Sequence, residues 1–225
     1  MSFKFLLILT LLLLTSCMKK QTLPINPSEI YRPDTSVIYT PSQEQYLQAS
    51  WSHLPEGNKW TYFTQRAIGK YGQTLLTTTP RDIVEYCPRY PELTRTQRGD
   101  FWVHLISKLA YFESSYNPET SYVEMFFDNN GNNVVSRGLL QISKESANGA
   151  NYRCGINNER ELHNPKRNLE CGVRILNKWI KTDEVIVGKE GSKWHGAARY
   201  WSPFRNQVKN SEIANYTSSL DFCRH

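Results

Sequence analysis

Apolar positions recur along this chain with two different periods. Between 101 and 112, Trp102, Ile106 and Leu109 lie four and three apart, which at about 100° per residue sets them on one face of a helix. Asp100 is the expected N-cap. Asn117-Pro118 is the expected stop, because a residue before proline is driven out of the helical region. Glu113 falls on the same stripe, four after Leu109, where an apolar residue would pack better. Further helices are expected near 43–51 and 58–71, from Pro80, and after Ile142. From 121 to 142 the period changes. Val123, Met125, Phe126 and Phe127, then Val134 and Val135, flank a run of Asp, Asn and Gly from Asp128 to Asn133. That pattern predicts a β-hairpin with a loop of about six residues. No repeat and no second linker breaks the chain after residue 42, so 43–225 is expected to form one domain.

The amino-terminal segment follows neither period. Lys4 precedes an almost unbroken apolar run over 5–14, too short to span a bilayer and the right length for a signal-peptide core. The run ends in Leu14-Thr15-Ser16-Cys17, which resembles the lipobox of bacterial lipoproteins. The resemblance implies removal of 1–16 as a signal peptide and a lipid on Cys17, with Met18 favouring the outer membrane. Residues 17–42 are polar and carry Pro24, Pro27, Pro33 and Pro41, the composition of an extended tether between lipid and domain. The expected location is the bacterial envelope, as an outer-membrane lipoprotein facing the periplasm, with secretion as the alternative.

Composition sharpens the picture in three respects. The 13 Tyr and 6 Trp residues supply ring faces of the kind that stack on sugars, although packing in a core needs them equally. The net charge of +6 suits an anionic polymer. The basic residues are scattered and no nucleic-acid-reading pattern appears, which speaks against nucleic acid as a partner. With Cys17 assigned to lipid, Cys87, Cys154, Cys171 and Cys223 remain, an even number in an exported chain. Three connectivities are possible. We expect Cys154–Cys171, which are close in sequence, and Cys87–Cys223, which tie the amino-terminal part of the domain to its end. No CxxC pair and no ligand-like histidine spacing is present, so neither a metal nor another cofactor is expected.

Four segments, in order, carry a family resemblance. Glu113-Ser114-Ser115-Tyr116-Asn117-Pro118, Gly138-Leu139-Leu140-Gln141-Ile142, the stretch from Asn164-Pro165 through Asn168 and Gly172 to Leu176, and Ala197-Ala198-Arg199-Tyr200 resemble motifs of the soluble lytic transglycosylase catalytic domain, a relative of goose-type lysozyme. The chain departs from the family pattern at Asn164, at Trp201-Ser202-Pro203, and in a longer insert between Glu113 and Gly138. The resemblance implies an α+β, predominantly α, lysozyme-like fold with a small β-hairpin lining a cleft. It implies an enzyme acting as a monomer on peptidoglycan glycan strands at the MurNAc-β-1,4-GlcNAc bond.

In that family reading Glu113 is the general acid and then the base, and the product is a 1,6-anhydromuramyl end. A hydrolytic lysozyme, with Asp128 or Glu124 as a second carboxylate positioning water and de-N-acetylated wall as one substrate, is the alternative. An inactive glycan-binding lipoprotein is a second alternative. Ser121, Ser136, Gln141 and Tyr200 are expected near the acid or the sugar, and Trp194 and Trp201 either stack on sugars or pack in the core. Asn168 is expected to be structural and Gly172 to permit close helix packing.

Overall fold

Helix formation around Glu113 begins earlier than the apolar stripe suggests. The structure, a computed structural model, describes residues 47–149 and 152–224; the expected signal peptide, Cys17, the whole tether and residues 43–46 lie outside them. Helix α4 spans Arg95–Ser114, and its N-cap is Thr94 rather than Asp100. Thr94 and Gln97 form a capping box: the Thr94 hydroxyl accepts from the Gln97 N–H, and the Gln97 side chain accepts from the Thr94 N–H. Every residue from Phe101 to Ala110 except Lys108 is buried, so α4 is packed on all sides and not on one face alone. Its end also differs from expectation. Ser115 and Tyr116 adopt left-handed backbone, φ 51° and 64°, and close the helix before Pro118 is reached.

Around α4 pack α1 (Gly57–Tyr71), α2 (Gln73–Thr77) and α7 (Gln207–Ser218), while α1 also runs against α6 (Pro165–Asp183). The Trp102 indole N–H reaches the Leu75 carbonyl at 2.6 Å and the Tyr90 hydroxyl at 2.9 Å, which fixes α2 on α4. α3 (Ile83–Tyr86) is the short helix expected from Pro80, and it packs on α7. The described part of the segment expected to be helical near 43–51 is turn and irregular chain.

The hairpin forms as expected. β1 (Ser121–Phe127) pairs antiparallel with β2 (Asn133–Arg137), and β2 with β3 (Ile142–Ser143). The register slips between Val123 and Phe127, a bulge in β1. After β2 the chain turns at Gly138, φ +76°, where a Cβ would lie 2.1 Å from the Leu162 carbonyl oxygen; only glycine fits. Asn168, fully buried on α6, holds this turn: its Oδ1 accepts from Leu140 N–H, and its Nδ2 donates to the Arg137 and Leu162 carbonyls. Gly172, one turn further along α6, leaves room for Leu140, whose Cδ1 would sit 2.2 Å from an added Cβ.

α5 (Lys144–Asn148) follows β3, and β4 (Val187–Glu190) and β5 (Lys193–Gly196) make a second, two-stranded hairpin. Both expected disulfides are present, Cys87–Cys223 and Cys154–Cys171. Among the described residues no helix is long and apolar enough to cross a membrane.

Candidate active site

Glu113 occupies the last turn of α4. The residue as a whole is half-buried, yet its Oε1 is fully enclosed and has no hydrogen-bond partner among the described residues. A buried, unpartnered carboxylate oxygen is costly to charge. Burial therefore pushes the Glu113 pKa up to about 8. Lys209 and Arg205 pull it down without offsetting the burial, and Glu124 adds to the rise. A carboxyl that keeps its proton at neutral pH is equipped to be a general acid.

Ser114, the next residue, ties this helix end to the Gly138 turn. Its hydroxyl bridges the Ala110 and Leu139 carbonyls at 3.1 and 3.0 Å. Gln141 sits in that turn with φ +45°, a left-handed backbone that a non-glycine residue rarely holds without a reason. Its Nε2 donates to the Gly138 and Thr120 carbonyls at 2.8 and 3.1 Å. Its Oε1, like that of Glu113, is buried without a partner among the described residues.

The two other acidic residues nominated by the sequence have different surroundings. Glu124 projects from β1 and accepts a 2.6 Å hydrogen bond from the buried Ser136 hydroxyl on β2. It is also near enough to Glu113 to raise that residue's pKa. Asp128 starts the hairpin turn. Its oxygens accept from Asn130 N–H, Asn132 N–H and the Asn132 amide, and the Asn132 contacts lead in holding its carboxyl below the usual range. Asp128 is thus occupied with turn chemistry, and Glu124 is the second carboxylate of the cluster.

Tyr200 is placed with its hydroxyl facing the Ser146 side chain and the Ser143 backbone, and burial holds its phenol well above the usual range, with a smaller contribution from Glu113. Trp201 is 2% exposed and its indole N–H donates to the Leu140 carbonyl at 3.0 Å. It belongs to the core and keeps no free ring face for a sugar. Ser121 is exposed at the start of β1. Trp194 is half-buried on β5, with Lys189 4.9 Å from its ring centroid. Neither is tied to Glu113 by a hydrogen bond. Sequence reasoning did not single out Arg205 and Lys209, the cations acting on Glu113. They lie on and just before α7, and no local pattern marks them.

The model of the family described as Transglycosylase SLT domain matches residues 92–189. Membrane-bound lytic murein transglycosylase F of Histophilus somni (strain 2336) is 26% identical over 113 residues, which make up 50% of this chain and 20% of that protein. The chain therefore matches only a fifth of that relative's length. The solved structure of wild-type DslA (form 2) superposes with a TM-score of 0.76 at 38% identity, over 80% of this chain and all of that one. Two DslA variants, each with one glutamate changed to glutamine, superpose at a TM-score of 0.75 with 37% and 38% identity, over 80% and 78% of this chain and 100% and 97% of theirs. The two altered glutamates lie eleven positions apart in DslA.

Proposed function

The chain belongs to the transglycosylase SLT family, and from that premise we propose that it cleaves the glycan strands of peptidoglycan with Glu113 as the acid. One observation carries the reading: the half-buried glutamate at the end of α4, its Oε1 enclosed and unpartnered and its pKa pushed up to about 8. Protonated Glu113 gives its proton to the glycosidic oxygen as the bond from C1 breaks, and the N-acetyl carbonyl oxygen of the muramyl unit bonds to C1. The resulting Glu113 carboxylate then removes the proton of the C6 hydroxyl. The C6 oxygen attacks C1, the acetyl oxygen leaves, and a 1,6-anhydromuramyl end is formed. Burial that favours the neutral acid and nearby Lys209 and Arg205 that tolerate the anion suit a group that must serve in both states. The place of action is the cell envelope, with Cys17 carrying the lipid that holds the enzyme at the membrane.

A second reading is favoured by Glu124. Ser136 holds its carboxylate in the same cluster, and Glu113 and Glu124 are eleven positions apart, the spacing of the glutamates altered in the DslA variants. With two carboxylates, water held by one attacks C1 while the other protonates the leaving oxygen, and the bond is hydrolysed. This route needs no N-acetyl group, so it alone serves de-N-acetylated wall. Mass spectrometry of digested wall separates the two, since an anhydro end weighs one water less than a hydrolysed one. Only reducing muramyl ends would overturn the first reading, and only anhydro ends the second. Rates on acetylated and deacetylated wall give an independent check. Unchanged wall, bound equally by wild type and Glu113→Gln, would replace both with a non-catalytic glycan binder.

A further inference from the structure

Helices α1 and α6 pack side by side and leave a cleft of about 460 Å³ between them, within the range of small-ligand sites. None of its lining residues belongs to the Glu113 cluster. The α1 wall repeats at helical spacing: Tyr62, Arg66 and Lys70 lie four apart, so they stand above one another on one face. Lys166 and Glu170 face them from α6. Among the described residues Arg66, Lys70 and Lys166 enter no ion pair, and Glu170 lies 4.0 Å from Arg167. The cleft thus gathers three cations free of carboxylate partners around a single acid that has a cation of its own.

The cations are arranged against rings. Arg66 lies 5.9 Å from the Tyr62 ring centroid and Lys70 5.0 Å from that of Tyr71, whose ring also carries Arg174 at 3.4 Å. Gly69 adds an independent sign of a space kept open. It lies inside α1 and lines the cleft, and nothing stands within 4 Å of where its Cβ would be. Its backbone is ordinary helix, so neither packing nor conformation requires glycine, which costs a helix about 1 kcal/mol relative to alanine. The missing side chain leaves the cleft clear.

Aromatic faces with unpaired cations around them match a sugar that carries carboxylates: the ring stacks on the tyrosines while the acid meets Arg66, Lys70 and Lys166. We propose that this cleft is a second glycan-binding site, taking a carboxylate-bearing muropeptide unit of the wall polymer without involving Glu113. The naming of the polymer rests on the reading in the preceding section; the chemistry of the ligand does not. Such a site would hold a strand while the reacting cluster works on another part of it.

The test is a titration of the Glu113→Gln protein, followed by backbone amide shifts, with a soluble disaccharide-tripeptide. Neutral chitobiose and inorganic phosphate are the controls. The muropeptide should move amides over 62–71 and 166–170, and the controls should not. In Arg66→Gln/Lys166→Gln, binding at these amides should weaken about fivefold, as loss of two exposed charge contacts implies. Both side chains are exposed, so this variant should melt as the parent does. Gly69→Leu, which fills the cleft, should abolish the shifts. Shifts confined to the Glu113 cluster, an equal response to chitobiose or phosphate, or full-strength binding by the double variant would each overturn the proposal. Wall digestion by the wild type separates it from the glycosidase reading: digestion without α1 binding sinks this proposal alone, and α1 binding without digestion sinks the other alone.

Discussion

The functional reading turns on Glu113 and what surrounds its carboxyl. Changing it to glutamine should lower wall cleavage at least about a hundredfold, the usual contribution of a positioned proton donor, measured as the rate of turbidity loss. The same change bears on stability. The carboxyl pKa is raised in the folded protein from an ordinary value of 4.5 to about 8. Between those values the folded state binds the proton more tightly than the unfolded chain does, so rising pH through that window costs stability. Glu113→Gln should therefore melt higher than the wild type at pH 8, by about 2 kcal/mol once the residue's partial exposure is allowed for, and nearly equally at pH 4. Equal melting at pH 8 would count against a buried acid. Glu124 raises the Glu113 pKa, so Glu124→Gln should shift the alkaline limb of the pH–rate profile to lower pH. If Glu124 is structural only, that limb stays in place. The sequence made Glu113 visible because a carboxylate on an apolar stripe is anomalous. Arg205 and Lys209 were not visible, because a surface cation near α7 looks the same whether or not the fold carries it to a distant glutamate.

The elements that hold Glu113 were legible unevenly. The hairpin and α1 followed from period, and α6 from the family resemblance over 164–176, where Asn164 Oδ1 accepts from the Lys166 and Arg167 N–H groups. The start of α4 was misplaced because Asp100 stands beside the apolar run, while Thr94 and Gln97, three apart, form a capping box in plain view six residues earlier. Thr94→Ala should cost about 1 kcal/mol in chemical denaturation without altering kcat. The sharper test of the site's support is Gly138. An alanine there meets the Leu162 carbonyl at 2.1 Å in a backbone conformation hostile to side chains. Gly138→Ala should cost about 3 kcal/mol and reduce cleavage, since the turn carries Gln141 and anchors Ser114. The side chain of Asn168 was expected to be structural, and its three hydrogen bonds to that turn explain how. Periodicity could not have told that Trp201 is core: a tryptophan beside a departure from the family pattern reads alike whether its indole reaches sugar or the Leu140 carbonyl.

On the scale of the whole molecule, the two disulfides close loops of unequal length. In the chain-entropy account the bond separated by 136 residues stabilises by about 5 kcal/mol and the one separated by 17 by about 3 kcal/mol. Replacing Cys87 and Cys223 by serine should therefore lower the melting temperature more than replacing Cys154 and Cys171; the reverse order would show that strain or unfolded-state structure decides. Even cysteine number and export pointed to two disulfides, and the closeness of Cys154 and Cys171 in sequence favoured this pairing over the other two connectivities. Cys87–Cys223 also makes a covalent ring of the chain from just before α4 to just after α7, and Glu113, both hairpins and α6 all lie inside it. The exposed turn over 129–132 is the natural place for a protease to cut that ring. A single cut there would leave a molecule that migrates intact on a non-reducing gel and falls into two pieces only when reduced. The chain would in this way survive a break in its backbone as one particle.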